Sequence, residues 1–169
     1  MTTDASRVCF VGIGSPHGDD VAGWLVAAGL RERQLAGMDV HVAASPIDLL
    51  DWVRPDQPLW VADACRGDGA GAEWQVWHWP CEDLQMTWAG GTHDFSLPGV
   101  LTLASRLGRL PQEVRLWGLW RDHFGPGRTA REDLGRVVGQ VVAEIERQWG
   151  GGDAGRIGPG GNLSGAVHA

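Results

Sequence analysis

The chain reads as an α/β protein: a three-layer sandwich built on a mostly parallel, five-stranded twisted sheet with helices on both faces. Three observations predict it. Short apolar runs alternate with helical patterns, as in βαβ units. The runs Val8–Ile13 and Leu59–Asp63 are almost wholly apolar, as strands buried on both faces must be. The fourth strand follows the third too closely for a parallel crossover, so one strand of the five is expected to be antiparallel.

Arg7–Ile13 is the first expected strand, a short apolar run of Val8, Cys9, Phe10, Val11 and Ile13 stopped by glycine. Val21–Ala36 follows as a helix, with Asp19 or Asp20 as its cap and Gly37 closing its far end. Met38–Ala43 is a second strand. Ser45-Pro46 opens a short helix through Val53, serine capping and proline in the first turn. Leu59–Asp63 is the third strand and Glu73–His78 the antiparallel fourth. Trp79–Thr92 is a long connection returning the chain to the top of the sheet. Leu97–Leu107 is a helix with Pro98 in its first turn, and Val114–Leu119 is the fifth strand. The last helix carries Leu134, Val137, Val138, Val141, Ile145 and Trp149 on one face. A single domain over residues 1–149 is therefore expected, followed by a glycine-rich, disordered tail over 150–169.

Composition narrows the function. Of 169 residues, 43% are hydrophobic, and the net charge is −7. That charge argues against nucleic acid, which needs a basic face. Lysine is absent, which excludes Schiff-base chemistry, and tyrosine is absent, which excludes a phenolic acid. Cys9, Cys65 and Cys81 form neither an even set nor a Cys-x-x-Cys pair, so no disulfide framework or zinc knuckle is expected. No segment reads as a signal peptide or a membrane span. The expectation is a cytoplasmic monomer with no membrane partner.

Three segments then carry chemistry: Gly12-Ile13-Gly14-Ser15-Pro16-His17-Gly18-Asp19-Asp20, Val61-Ala62-Asp63-Ala64 and Gly91-Thr92-His93. Each lies at a strand end or in the loop after it. If the sheet begins in the order 2-1-3, Asp20 and Asp63 flank the crevice where such sheets bind ligands. One aspartate suffices to cap the first helix, which leaves the other free to face that crevice. Asp63 ends an apolar strand, where a carboxylate is costly without a partner; loop amides near Arg66–Gly69 are the plain structural alternative. His93 precedes a helix and could equally cap it. His17 ranks below it, and Asp94 could orient the imidazole or begin the helix. His41, His78, His123 and His168 have no supporting context.

The glycines after the first strand suggest a nucleotide-binding turn, but their spacing is not Gly-x-Gly-x-x-Gly, and no acid ends the second strand. No nucleotide cofactor is expected. Cys65 near Asp63 raises the possibility of a thiol nucleophile, with no neighbouring feature to activate it. Trp74, Trp77, Trp79 and Trp88 gather around the fourth strand as a surface for a protein partner or as half-buried packing.

Together these segments resemble the hydrogenase maturation endopeptidases. That family opens with a strand, Gly-Ile-Gly-Asn, a loop, and Gly-Asp-Asp before a helix; here the matching residues are Gly12-Ile13-Gly14-Ser15 and Gly18-Asp19-Asp20. Its Asp-Ala step is matched by Asp63-Ala64 and its Ser/Thr-His by Thr92-His93. The closing pattern is similar to Leu107-Gly108-Arg109-Leu110-Pro111 and Val114-Arg115-Leu116-Trp117-Gly118-Leu119. The resemblance runs from about Arg7 to Trp149.

It implies an endopeptidase that clips a C-terminal extension from the nickel-iron hydrogenase large-subunit precursor after nickel insertion. It further implies Asp20, Asp63 and His93 as the metal-contacting and catalytic residues, the nickel being the precursor's own and serving as a recognition handle. Departures are Ser15 for asparagine, Val21-Ala22-Gly23 for an Asp-Gly-Val-Gly-like continuation, Ala43-Ala44-Ser45 without an acid, and Trp120 where an acid or amide is common. Two rival readings remain: a self-sufficient zinc hydrolase using the same triad, and a metal-binding docking protein or chaperone for a metalloenzyme precursor.

Overall fold

The computed structural model describes residues 7–16, 21–67, 69–87, 96–120 and 128–150. Five strands form one sheet: β1 (Val8–Ile13), β2 (Met38–Ala43), β3 (Leu59–Cys65), β4 (Trp74–His78) and β5 (Val114–Trp120). Their order is β2-β1-β3-β5-β4. All neighbours are parallel except β4, which runs antiparallel to β5. The sheet therefore has the expected composition, and β5 enters between β3 and β4.

Side-chain alternation along the strands splits the core in two. On one face Val8, Phe10, Trp60, Ala62, Val76, Trp117 and Leu119 pack against α1 (Ala22–Arg33) and α4 (Arg128–Gly150). On the other, Cys9, Val11, Leu59, Val61, Cys65, Trp77 and Leu116 pack against a 3₁₀ turn (Pro46–Asp51), α2 (Glu82–Thr87) and α3 (Leu97–Arg106). This is the three-layer arrangement. Helix α4 buries the face the sequence marks, with Val137, Val141 and Ile145 fully enclosed.

Local boundaries differ from expectation where backbone conformation intervenes. Helix α1 stops at Arg33, because Gln34 takes the left-handed conformation (φ 52°, ψ 46°). Gly37 (φ 80°) serves the turn beyond, and its carbonyl accepts the Val8 amide that begins β1. The segment after Ser45 is a 3₁₀ turn, with the Asp48 carboxylate accepting the Ala44 and Ser45 amides at 3.0 Å each. Ser96 caps α3 by accepting the Gly99 amide at 3.3 Å. Helix α4 reaches Gly150, so the rest of the expected tail lies outside the described residues. Among the described residues no helix is long and apolar enough to cross a membrane.

Candidate functional site

The chain leaves β1 to form β2 on one side and returns to form β3 on the other. Such a reversal is where open α/β sheets hold their ligands, in the crevice beyond the C-terminal strand ends, here those of β1 and β3. Three features shape it. The first is the seat of α1. A Cβ on Gly23 would overlap the carbonyl oxygens of Ile13 and Ala62, and one on Gly12 would overlap the Gly23 carbonyl. The helix start thus lies directly on Ile13 of β1 and Ala62 of β3, the residue before Asp63.

The second feature is the Ala43 carbonyl at the end of β2. It accepts the Gly14 amide at 3.0 Å and the Trp24 indole N–H at 2.8 Å. The strand exit and the first turn of α1 are fastened to one atom.

The third is Asp63. It lies near the end of β3, half-buried, with Oδ1 accepting its neighbour Ala64's amide at 2.8 Å. Alternation puts position 63 on the face of Leu59, Val61 and Cys65. Directly across in register is Gly118 of β5. A side chain at 118 would collide with Cys65 Sγ and the Trp77 ring. Beneath lies a tryptophan pair, Trp77 and Trp120, their rings edge-on with centroids 5.9 Å apart.

Cys65 is buried (1% exposed) within this floor. Burial, and next the Asp63 charge, push its thiol well above the ordinary range. A protonated thiol sealed in the core is not a nucleophile, so the structural reading of Cys65 holds and the catalytic one does not.

Of the predicted triad, only Asp63 can be located. Asp20 and His93 lie outside the described residues, as do His17, Asp19, Asp94 and His123. The flanking elements still aim toward the crevice. Helix α1 begins at Ala22, two positions after Asp20 in the sequence. Helix α3 feeds β5 from the opposite end of the sheet, so its Ser96 end faces the crevice. Among the described residues no three His, Cys, Asp or Glu side chains cluster. Asp63 supplies an anionic oxygen donor, suited to a borderline divalent ion or to taking a proton from water.

The tryptophans around β4 do not form one surface. Trp74 packs on the α1/α4 face, while Trp77 and Trp79 pack on the other, as residues an odd number apart on a strand must. Trp77 is 1% exposed, and Trp88 lies outside the described residues. Of the histidines without context, His123 and His168 lie outside the described residues, and His78 is exposed at the end of β4. His41 stacks on Trp52 at 5.0 Å, and burial lowers its pKa. Burial and then Arg115 lower that of His78.

Sequence reasoning missed Trp24, Gly23 and Gly118, whose roles depend on what lies across the junction. It also missed Arg115 at the far end of the sheet. That side chain, 8% exposed, lies 2.8 Å from Glu113, donates to Gln148 at 2.7 Å and stacks over Trp60. These contacts close the bottom of the domain, away from the crevice.

The sequence matches no protein-family model and no curated protein. Solved structures do match. Hydrogenase maturating endopeptidase HybD from Escherichia coli aligns with 84% of this chain and 93% of its own, at 18% identity and TM-score 0.57. The solution structure of an endopeptidase from Escherichia coli aligns over the same shares, at 18% identity and TM-score 0.62. The [NiFe] hydrogenase maturation protease HycI from Thermococcus kodakarensis aligns with 85% of this chain and 95% of its own, at 20% identity and TM-score 0.55. The chain has the fold of the hydrogenase maturation endopeptidases. Nearly all of each neighbour's chain is covered by the likeness.

Proposed function

We propose that this chain is an endopeptidase that removes the C-terminal extension of a nickel-iron hydrogenase large-subunit precursor after nickel insertion. The observation that carries the reading is the Asp63 carboxylate at the end of β3, beside the reversal of the sheet, in a fold shared with hydrogenase maturation endopeptidases. The order of the three sequence segments supports it: Gly18-Asp19-Asp20, Asp63-Ala64 and Thr92-His93. Asp20, Asp63 and His93 would contact nickel carried in by the precursor. Two carboxylates and one imidazole suit a borderline divalent ion and leave positions for the precursor's own ligands.

The reaction is a hydrolysis. Water adds to the scissile carbonyl carbon, the C–N bond breaks, and the proton lost by water goes to the departing amine. A carboxylate in the crevice can accept that proton while the precursor's nickel holds the bond beside it. Cleavage then follows metal loading, which makes the cut a checkpoint on nickel insertion.

The test is cleavage of a candidate precursor, nickel-loaded and nickel-free, by the purified protein. Cleavage of the loaded form alone is expected. Equal cleavage of both overturns the nickel handle in favour of a self-sufficient hydrolase. Binding without cleavage of either form favours the docking protein.

A further inference from the structure

We propose that β4 is a dimerisation edge: two copies of this chain pair β4 with β4, antiparallel about a two-fold axis at Val76, and join their sheets into one. A dimer stands against the monomer expected from the sequence, and it is independent of the proposed reaction. Strand order leaves β2 and β4 at the two edges of the sheet. The bonds at either end of β4 fix its phase. The Trp120 amide donates to the Glu73 carbonyl, and the Trp79 amide to the Val114 carbonyl. Antiparallel pairs alternate, so residues 73, 75, 77 and 79 turn their amides and carbonyls to β5. Those of Trp74, Val76 and His78 point outward, and among the described residues nothing pairs with them.

The other edge is guarded. The Val8 and Gly14 amides donate to the Gly37 and Ala43 carbonyls, so Val40 of β2 faces outward, and its carbonyl accepts the Arg31 guanidinium at 3.1 Å. Asp39 beside it is paired with Arg7 at 3.1 Å. Exposed edges are ordinarily blunted by such charges, by proline or by bulges. From Trp74 to His78, β4 has no Asp, Glu, Lys, Arg or Pro and no break in its register; Pro80 stops it just beyond.

A second copy is the occupant that this edge fits. Centring the pair on Val76 sets Trp74 against the partner's His78 and Gln75 against the partner's Trp77, with no charge facing a like charge. Trp74 and Val76 share the α4 face, and alternation puts His78 there too. Between Trp74 and α4 lies a groove of about 330 Å³, lined by Trp74, Gln140, Ala143, Glu144 and Arg147. Gln140 Oε1 is buried and, among the described residues, accepts no hydrogen bond. His78 is exposed in the single chain. Across the axis it brings an imidazole N–H to the mouth of the groove, and each copy both offers that group and receives it.

The experiment measures the mass of the full chain by sedimentation equilibrium across the micromolar range, beside His78→Glu and Val42→Asp. Thermal midpoints establish that each variant folds. The wild type should dimerise. His78→Glu should weaken association at least about 10-fold, because it sets a carboxylate beside Glu144 and the Gln140 oxygen. Val42→Asp, exposed on β2, should leave association unchanged. Cysteine pairing in a Cys81→Ser background reads the register. Trp74→Cys mixed with His78→Cys should form a disulfide-linked dimer on oxidation, because facing positions bring their Cα atoms to about 5.5 Å. Either variant alone should form none, since the axis sets identical positions at 74 or at 78 about 14 Å apart. A monomer at every concentration overturns the proposal; if His78→Glu then weakens precursor binding, the edge belongs to the precursor instead. A dimer broken by Val42→Asp and kept by His78→Glu overturns it in favour of β2. A dimer without the cross-link between positions 74 and 78 overturns the pairing.

Discussion

Gly12 of β1 and Gly23 of α1 meet backbone to backbone, and neither has room for a Cβ. Strand and helix are usually separated by a layer of side chains. Here the helix start rests on the strands themselves, so the crevice rim is set by main-chain contact and not by adjustable packing.

That contact reverses an ordinary helix rule. Glycine to alanine inside a helix gains about 1 kcal/mol where space allows. Gly139 of α4 has nothing within 4 Å of its missing Cβ. Gly139→Ala should therefore stabilise by about 0.5–1 kcal/mol. Gly23→Ala should destabilise by about 3 kcal/mol, because its methyl group meets fixed carbonyl oxygens. Chemical denaturation of the two variants beside the wild type checks both signs.

Much of this architecture was legible in the sequence because burial writes it there. The strands Val8–Ile13 and Leu59–Cys65 are enclosed on both faces and consist almost entirely of apolar residues. The antiparallel β4 was legible from its short approach from β3. The insertion of β5 between β3 and β4 was not, since strand order depends on pairings remote in sequence. The end of α1 was misread at Gly37, because Gln34 reached the left-handed conformation first. The tryptophans looked like one patch along the chain, although alternation on β4 sends Trp74 and Trp77 to opposite faces. For the site, a carboxylate closing an apolar strand marked Asp63. The close seat of α1 left no trace beyond a glycine.

Burial also makes the thiols report on the fold. Cys9 is pushed from its ordinary 9.0 to about 11, chiefly by burial and next by Asp39, against a smaller opposing effect of Arg54. Cys65 is likewise raised, by burial and then by Asp63. In the unfolded chain both ionise near 9, while folded they keep their protons. The unfolded state then binds fewer protons, so stability falls as pH rises above 9. Cys9→Ala should flatten that alkaline loss in denaturation curves. A thiol reagent at about pH 8 should label half-buried Cys81 ahead of both in the native protein.

Arg115 and Arg136 should differ sharply. Arg136 pairs with Glu73 through both terminal guanidinium nitrogens on the surface. Arg136→Gln should change the thermal midpoint little, because solvent screens such a pair. Arg115 is enclosed between Glu113, Gln148 and the Trp60 ring. Arg115→Ala should cost about 2 kcal/mol, since Gln148 loses its donor and Trp60 its stacked cation, while Glu113 still accepts the Trp60 indole N–H at 3.0 Å. Arg115→Ala should leave kcat on the nickel-loaded precursor unaltered, as Arg115 lies near the start of β5, at the end of the sheet opposite Asp63.

Asp63→Asn separates charge from structure at the crevice. Asparagine keeps a side-chain oxygen to accept the Ala64 amide, now held at 2.8 Å by Oδ1. The local hydrogen bond and the volume are preserved, so the thermal midpoint should stay near wild type. The anionic donor is lost, and with it the proposed metal contact and the proposed proton acceptor. Cleavage of nickel-loaded precursor should fall at least about 100-fold, the scale on which even indirect metal partners act. Asp63→Ala should lose the same activity and also stability, because the Ala64 amide loses its acceptor. If Asp63→Asn cleaves at the wild-type rate, the carboxylate takes no part in the reaction. If it folds, binds the precursor and fails to cut, the charge at the end of β3 is what the reaction uses.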